Sequence, residues 1–242
     1  MPQPTRPGPA LWRRPWVVPL GFVAVAFLVF SLPPYLGLDP VQSRVPPPPG
    51  NGWYYPVLVA HVGFASIAML CCVLQVWPWF RQRYPAAHRH IGRCYVLAGV
   101  LPAGLSGLAI AVVSPFGPVA AVSNVLLAVL WLTCTGNGFR AARARRYREH
   151  RRWMIRSFAL TMSIITNRIW GVVWGIALAP QLATTFGGNE VLFGYTVAGL
   201  TTWTGWVLPL LLAEWWLERE QRGRPVRPER PVEVGSRTGN AG

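Results

Sequence analysis

Apolar runs of about 20 residues recur along almost the whole chain, separated by short segments rich in Pro, Gly and Arg. A helix rises 1.5 Å per residue, so a run of about 20 crosses the roughly 30 Å of hydrocarbon in a bilayer. No water reaches the backbone there, and helices close their hydrogen bonds internally. The pattern predicts an all-α polytopic membrane protein, a six-helix transmembrane bundle. Composition agrees: 52% of the 242 residues are hydrophobic and 13% charged, against about 25% charged in soluble domains.

Helix breakers divide the runs. The first, Trp16 to Leu38, follows Arg13 and Arg14 and contains Ser31-Leu32-Pro33-Pro34 near its end. It is too long for a signal-peptide core and lacks a small-x-small cleavage site, so it is read as a retained helix kinked at the prolines. Pro46 to Pro49 and Gly50-Asn51-Gly52 make an outer loop. Further spans are expected at 55–79, 92–113, 119–139, 153–179 and 191–217, with a tight hairpin at Ser114 to Pro118. The implied division is an N-terminal cytoplasmic segment 1–15, a transmembrane domain 16–217, and a Pro- and Arg-rich cytoplasmic tail 218–242 expected to be disordered.

All 23 basic residues are arginines, and the formal charge is +15. Arg6, Arg13 and Arg14 precede the first span; Arg81, Arg83, Arg89 and Arg93 lie between the second and third. Eight more run from Arg140 to Arg156, and six follow the last span. Only Arg44, in an opposite loop, and Arg168, inside a span, depart from this side. The positive-inside rule then puts both termini in the cytoplasm of a multi-pass cell-membrane protein, with the lipid bilayer as its surroundings. The same placement argues against nucleic acid, because the arginines line no folded basic face. Cys71, Cys72, Cys94 and Cys134 lie within or at the edges of spans with no CxxC spacing, and are read as packing residues.

Polar groups inside a bilayer are costly, so each one is a candidate for function. Arg168 lies 12 residues past Arg156, roughly 18 Å deeper along a helix and nearer the outer face. His61 and Asn124 enter their spans from the outer side to a similar depth. A polar outer cluster is therefore expected, the plain alternative for each residue being an interhelical hydrogen bond of about 0.6 kcal/mol. His88, His90 and His150 sit among arginines at the cytoplasmic interface, where a belt facing lipid phosphates is the plain reading. At about 100° per residue, His150, Ser157, Thr161, Arg168 and Gly175 share one helix face, and His61, Ala65, Ala68, Cys72 and Gln75 share another. Metal-ligand spacings, Walker, GxGxxG and GxSxG motifs are absent, and Glu149, Glu190 and Glu214 form no acid pair. No catalytic residue or metal ligand is assigned.

The segment His88-Arg89-His90-Ile91-Gly92-Arg93-Cys94-Tyr95, with His150-Arg151-Arg152-Trp153-Met154-Ile155-Arg156-Ser157 and Arg168, resembles the membrane family called domain of unknown function 2306. His61, Leu74-Gln75 and Arg81 are similar to the same pattern, and the likeness spans roughly residues 55 to 180. It implies a membrane fold and no established activity. A more distant likeness is to the six-helix di-haem cytochromes b that carry electrons from ascorbate. There, histidines on spans two and four hold one haem, and histidines on spans three and five hold the other. It implies haem b between His88 or His90 and His150, while Asn124 stands where a partner for His61 is wanted; Arg168 would then serve a haem propionate or another anion. The leading expectation is a haem- or quinone-associated redox module. The alternative is a transporter or assembly component whose polar stripes pack helices or pass a small solute or proton.

Overall fold

The computed structural model describes residues 16–222. The expected N-terminal segment 1–15 and the tail beyond residue 222, with seven of the arginines used for orientation, lie outside the described residues. Within them the regular structure is entirely helical: α1 (Val17–Ser31), α2 (Pro33–Leu36), α3 (Tyr54–Val76), α4 (Pro78–Arg83), α5 (Pro85–Cys94), α6 (Leu101–Val112), α7 (Pro118–Arg143), α8 (Tyr147–Leu178) and α9 (Glu190–Arg222). A π-helical turn, Tyr95–Val100, joins α5 to α6.

Among the described residues five helical stretches are long and apolar enough to cross a membrane: Tyr54–Val76, Pro85–Val112, Pro118–Arg143, Tyr147–Gln181 and Glu190–Arg222. The first expected span appears as the shorter apolar helix α1, of 15 residues, followed by α2. Large apolar side chains such as Val18, Phe22, Val29, Ile176 and Leu212 point outward, as a lipid-facing surface requires.

Prolines set where the helices end and bend. The residue before a proline is pushed out of the helical region; Trp77, ahead of Pro78, is extended (φ −81°, ψ 108°), and the second span stops at Val76 instead of continuing to 79. Pro85 opens the next helix at its first position, where a missing N–H costs nothing. The histidine- and arginine-bearing stretch before Gly92 is therefore helical, seven residues earlier than expected. Pro102 lacks the N–H that Ala98 would bond, and its ring crowds that carbonyl. The chain widens just upstream: the Leu101 N–H bonds the Val96 carbonyl, five residues back. At the other end of the chain, α9 runs to Arg222, five residues into the expected tail.

In the bundle α8 packs along α7 and α9, α3 packs on the π turn and α6, α7 contacts α6 and α9, and α1 leans on α3. Without a hydrophobic drive between helices in lipid, close approach depends on small residues. A Cβ built on Gly99 would stand 2.9 Å from both Cα and Cβ of Ala68, so the π turn and α3 touch backbone to backbone. Gly205 of α9 meets Asn167 of α8 in the same way, with a Cβ there 3.0 Å from its Cα. The core so closed includes Leu28, Met69, Tyr95, Trp131, Leu160 and Trp206.

Candidate functional site

Beside this core, toward the arginine-poor end, the helices line a cavity of about 340 Å³. His61 of α3, Asn124 of α7 and Arg168 of α8 all line it, joined by Asn167 of α8 and by Arg44 from the loop after α2. Most of its wall is apolar, with Met69, Leu127, Trp131, Leu160 and Trp206 at the core side. Among the described residues no Asp or Glu lines it.

The polar groups are held differently. The His61 Nδ1 lies 2.8 Å from the Ala103 carbonyl oxygen. A carbonyl only accepts, so Nδ1 carries the proton and Nε2 is the free ring nitrogen. Gly107 makes room for the ring: a Cβ there would stand 2.8 Å from the His61 Cε1. Asn167 Nδ2 donates to the Thr201 carbonyl at 3.4 Å. Arg168 is exposed into the cavity and, among the described residues, neither it nor the Asn124 side chain has a hydrogen-bond or ion-pair partner.

Arg44 is fixed by a defect in α1. The Phe30 carbonyl would normally bond the N–H four residues on, but that residue is Pro34, which has none. The Arg44 Nη2 donates to this carbonyl at 2.7 Å, and its guanidinium stacks 3.8 Å over the Phe30 ring. The loop is thereby strapped to the end of α1 and brings a second cation to the cavity.

A directed hydroxyl network closes the core side. Tyr95 OH lies 2.6 Å from Ser157 Oγ and 2.7 Å from Thr161 Oγ1; Thr135 Oγ1 lies 2.6 Å from Ser157 Oγ. Thr161 spends its one proton on the Ser157 carbonyl at 2.8 Å, so it accepts from Tyr95 and from Trp131 Nε1 at 2.9 Å. Ser157 then donates to Tyr95 and Thr135 to Ser157, which leaves every hydroxyl proton used. The network ties the π turn to α7 and α8. Tyr95→Phe should lower the thermal midpoint of the detergent-solubilised protein, at a cost of about 1 kcal/mol, because a buried Ser157 donor loses its acceptor. An unchanged midpoint would mean the network contributes nothing to stability.

The three histidines of the arginine-rich end do not join the cavity. His150 Nδ1 lies 2.8 Å from the Gly138 carbonyl, His90 is exposed, and His88 is half-buried with its Nδ1 unpartnered, while its carbonyl accepts from Gln75 Nε2 at 2.9 Å. Gly138 packs on Trp153 and Met154, where an added Cβ would stand 2.6 Å from the methionine sulfur. A bis-histidine haem needs two facing imidazoles and a slot for the ring. Among the described residues the outer cavity is lined by one histidine, His61, and so offers no such pair.

A family model described as "Predicted membrane protein (DUF2306)" matches residues 58–217. The chain belongs to that family. The match reaches into α9, well past residue 180, where the resemblance read from the sequence ends, and it covers His61, Asn124, Asn167 and Arg168 but not Arg44. No curated protein and no solved structure matches the chain, and the likeness to cytochromes b has no support among them. The protein is a DUF2306 membrane protein with several membrane-spanning helices.

Sequence reasoning found His61, Asn124 and Arg168 by counting depth along helices. It passed over Arg44, Asn167, Trp131 and Trp206. Asn167 adjoins Arg168 in the chain and the same depth argument would have found it; Arg44 carried no such signal, because the Pro34 defect that holds it is visible only once α1 is built.

Proposed function

We propose that this DUF2306 protein is a six-span protein of the cell membrane, with both termini in the cytoplasm, that binds a small amphipathic molecule in the cavity facing the outer side. The sixth span is α1 continued through α2: Leu32 between them keeps helical angles (φ −76°, ψ −37°), and residues 17–36 together reach roughly 30 Å. The arginine asymmetry supports the orientation, since Arg81 to Arg93 and Arg140 to Arg156 all fall at one end.

The observation that carries the binding role is the convergence of His61, Asn124 and Arg168 from three helices on one apolar-walled cavity. Small-molecule sites have this character, a mostly apolar wall with a few convergent polar groups, in volumes of about 300–1,000 Å³. A transporter and a quinone-linked redox module both use such a site. The aromatic walls Trp131 and Trp206 favour the quinone as a second reading, because a flat ring stacks there while donors reach its carbonyl oxygens.

Filling the cavity tests the role. Ala65 lines it from α3, and Ala65→Trp should exclude the occupant while the bundle still assembles. Mass spectrometry of extracts from purified protein should then find a small molecule that accompanies the wild type and is depleted from the variant. Equal amounts in both would place the binding site elsewhere.

A further inference from the structure

We infer that the occupant of this cavity is a single-chain amphiphile with an anionic head, a carboxylate or a phosphate, held by Arg168 and Arg44. The inference rests on the cavity being the binding site and goes on to its ligand class. Among the described residues two guanidiniums line the cavity and no carboxylate does. The acids nearest in sequence to this end, Asp39 and Glu190, do not line it, and the Asp39 carboxylate already accepts from Val41 N–H at 3.0 Å and Gln42 Nε2 at 3.3 Å. A cation inside a span is expensive unless an anion, a carbonyl or water meets it. Arg168 has none of the first two among the described residues.

Arg44 is prepared for the same role. One of its nitrogens is pinned on the Phe30 carbonyl and its plane is set by the Phe30 ring, so its remaining N–H groups are oriented before a ligand arrives. A guanidinium fork pairs with carboxylate or phosphate through two parallel hydrogen bonds. From the arginines the wall runs inward over Leu28, Met69, Leu160 and the indoles of Trp131 and Trp206, a lining suited to a hydrocarbon chain. At about 30 Å³ for each water molecule in the liquid, the volume equals that of on the order of ten waters, room for a short chain. A neutral quinone would leave Arg168 without a counter-charge.

The test uses the full chain in phosphatidylcholine nanodiscs, with empty discs subtracted, and equilibrium binding of decanoate, decyl phosphate and decanol. Both anions should bind saturably, decanol about tenfold more weakly or worse, and Arg168→Gln should weaken the anions by about tenfold or more, the loss expected from one charge-assisted hydrogen bond. Arg168→Lys should recover part of that loss. Which anion binds tighter identifies the head. If Arg168→Gln does not fold, Arg44→Gln in the exposed loop carries the same prediction. Equal binding of decanol and the anions, unaffected by the arginine variants but lost in Ala65→Trp, would overturn the anionic class and leave the cavity as the site. No difference between wild type and Ala65→Trp for any probe would overturn both.

Discussion

Gly99→Leu should cost the protein several kcal/mol and prevent recovery of a folded, monodisperse species from the membrane. Overpacking a filled core costs typically about 1–3 kcal/mol and more when nothing can move aside. At Gly99 the obstacle is the backbone: the added Cβ would stand 2.9 Å from the Cα of Ala68, itself completely buried. The π turn and α3 must separate to admit any side chain, which would also strain the Tyr95 network that starts at the same turn. Gly99→Ala should show a smaller loss in thermal midpoint, and Gly63→Ala, where an added Cβ meets nothing within 4 Å, should show none. If Gly99→Leu and Gly63→Ala behave alike, α3 and the π turn do not approach as described.

The next largest effect is expected toward the arginine-rich end. Arg156 of α8 and Glu214 of α9 form a two-pronged ion pair: Nε and Nη2 each donate to one carboxylate oxygen, the second at 2.8 Å. The guanidinium also lies 4.8 Å over the Trp153 ring. Its side chain is only 17% exposed and that of Glu214 35%. Removing one partner of a fully buried pair costs about 3–5 kcal/mol because the other charge is stranded; solvent near the carboxylate reduces this to roughly 2 kcal/mol. Glu214→Leu should therefore destabilise the bundle clearly, while Arg156→Met with Glu214→Leu should recover most of the loss. A double-mutant cycle on thermal midpoints measures the coupling. Strict additivity would show that the pair does not hold α8 to α9. Arg151 with Glu220, at 2.6 Å, lies on the same seam further out and is more exposed, so its removal should matter less.

Depth along a helix is a local quantity, and it is why part of the site was readable. Where a span starts and how far a residue lies from that start need only the 1.5 Å rise, and this brought Arg168, His61 and Asn124 to notice. The shared faces were readable too: Ser157 and Thr161 turn to the Tyr95 network, Ala68 and Cys72 into the core, and His61 and Ala65 to the cavity. The histidines at the arginine-rich end line no part of this cavity. His150 answers the Gly138 carbonyl, and that is a contact between α7 and α8 that no single-helix pattern encodes.

The apolar runs, the prolines and the arginine count are properties of the chain taken locally, because hydrocarbon forces helices wherever such runs occur and prolines interrupt them wherever they fall. They were enough for an all-helical membrane protein and for the depth of its polar residues. How the helices rotate against one another depends on pairwise fit at particular points: Gly99 on Ala68, Gly205 on Asn167, Gly107 on the His61 ring. These contacts join residues far apart in the chain, and only the assembled bundle decides them. They turn three scattered polar residues toward one cavity, bring Arg44 to it through the carbonyl that Pro34 leaves free, and set the indoles of Trp131 and Trp206 at its core side.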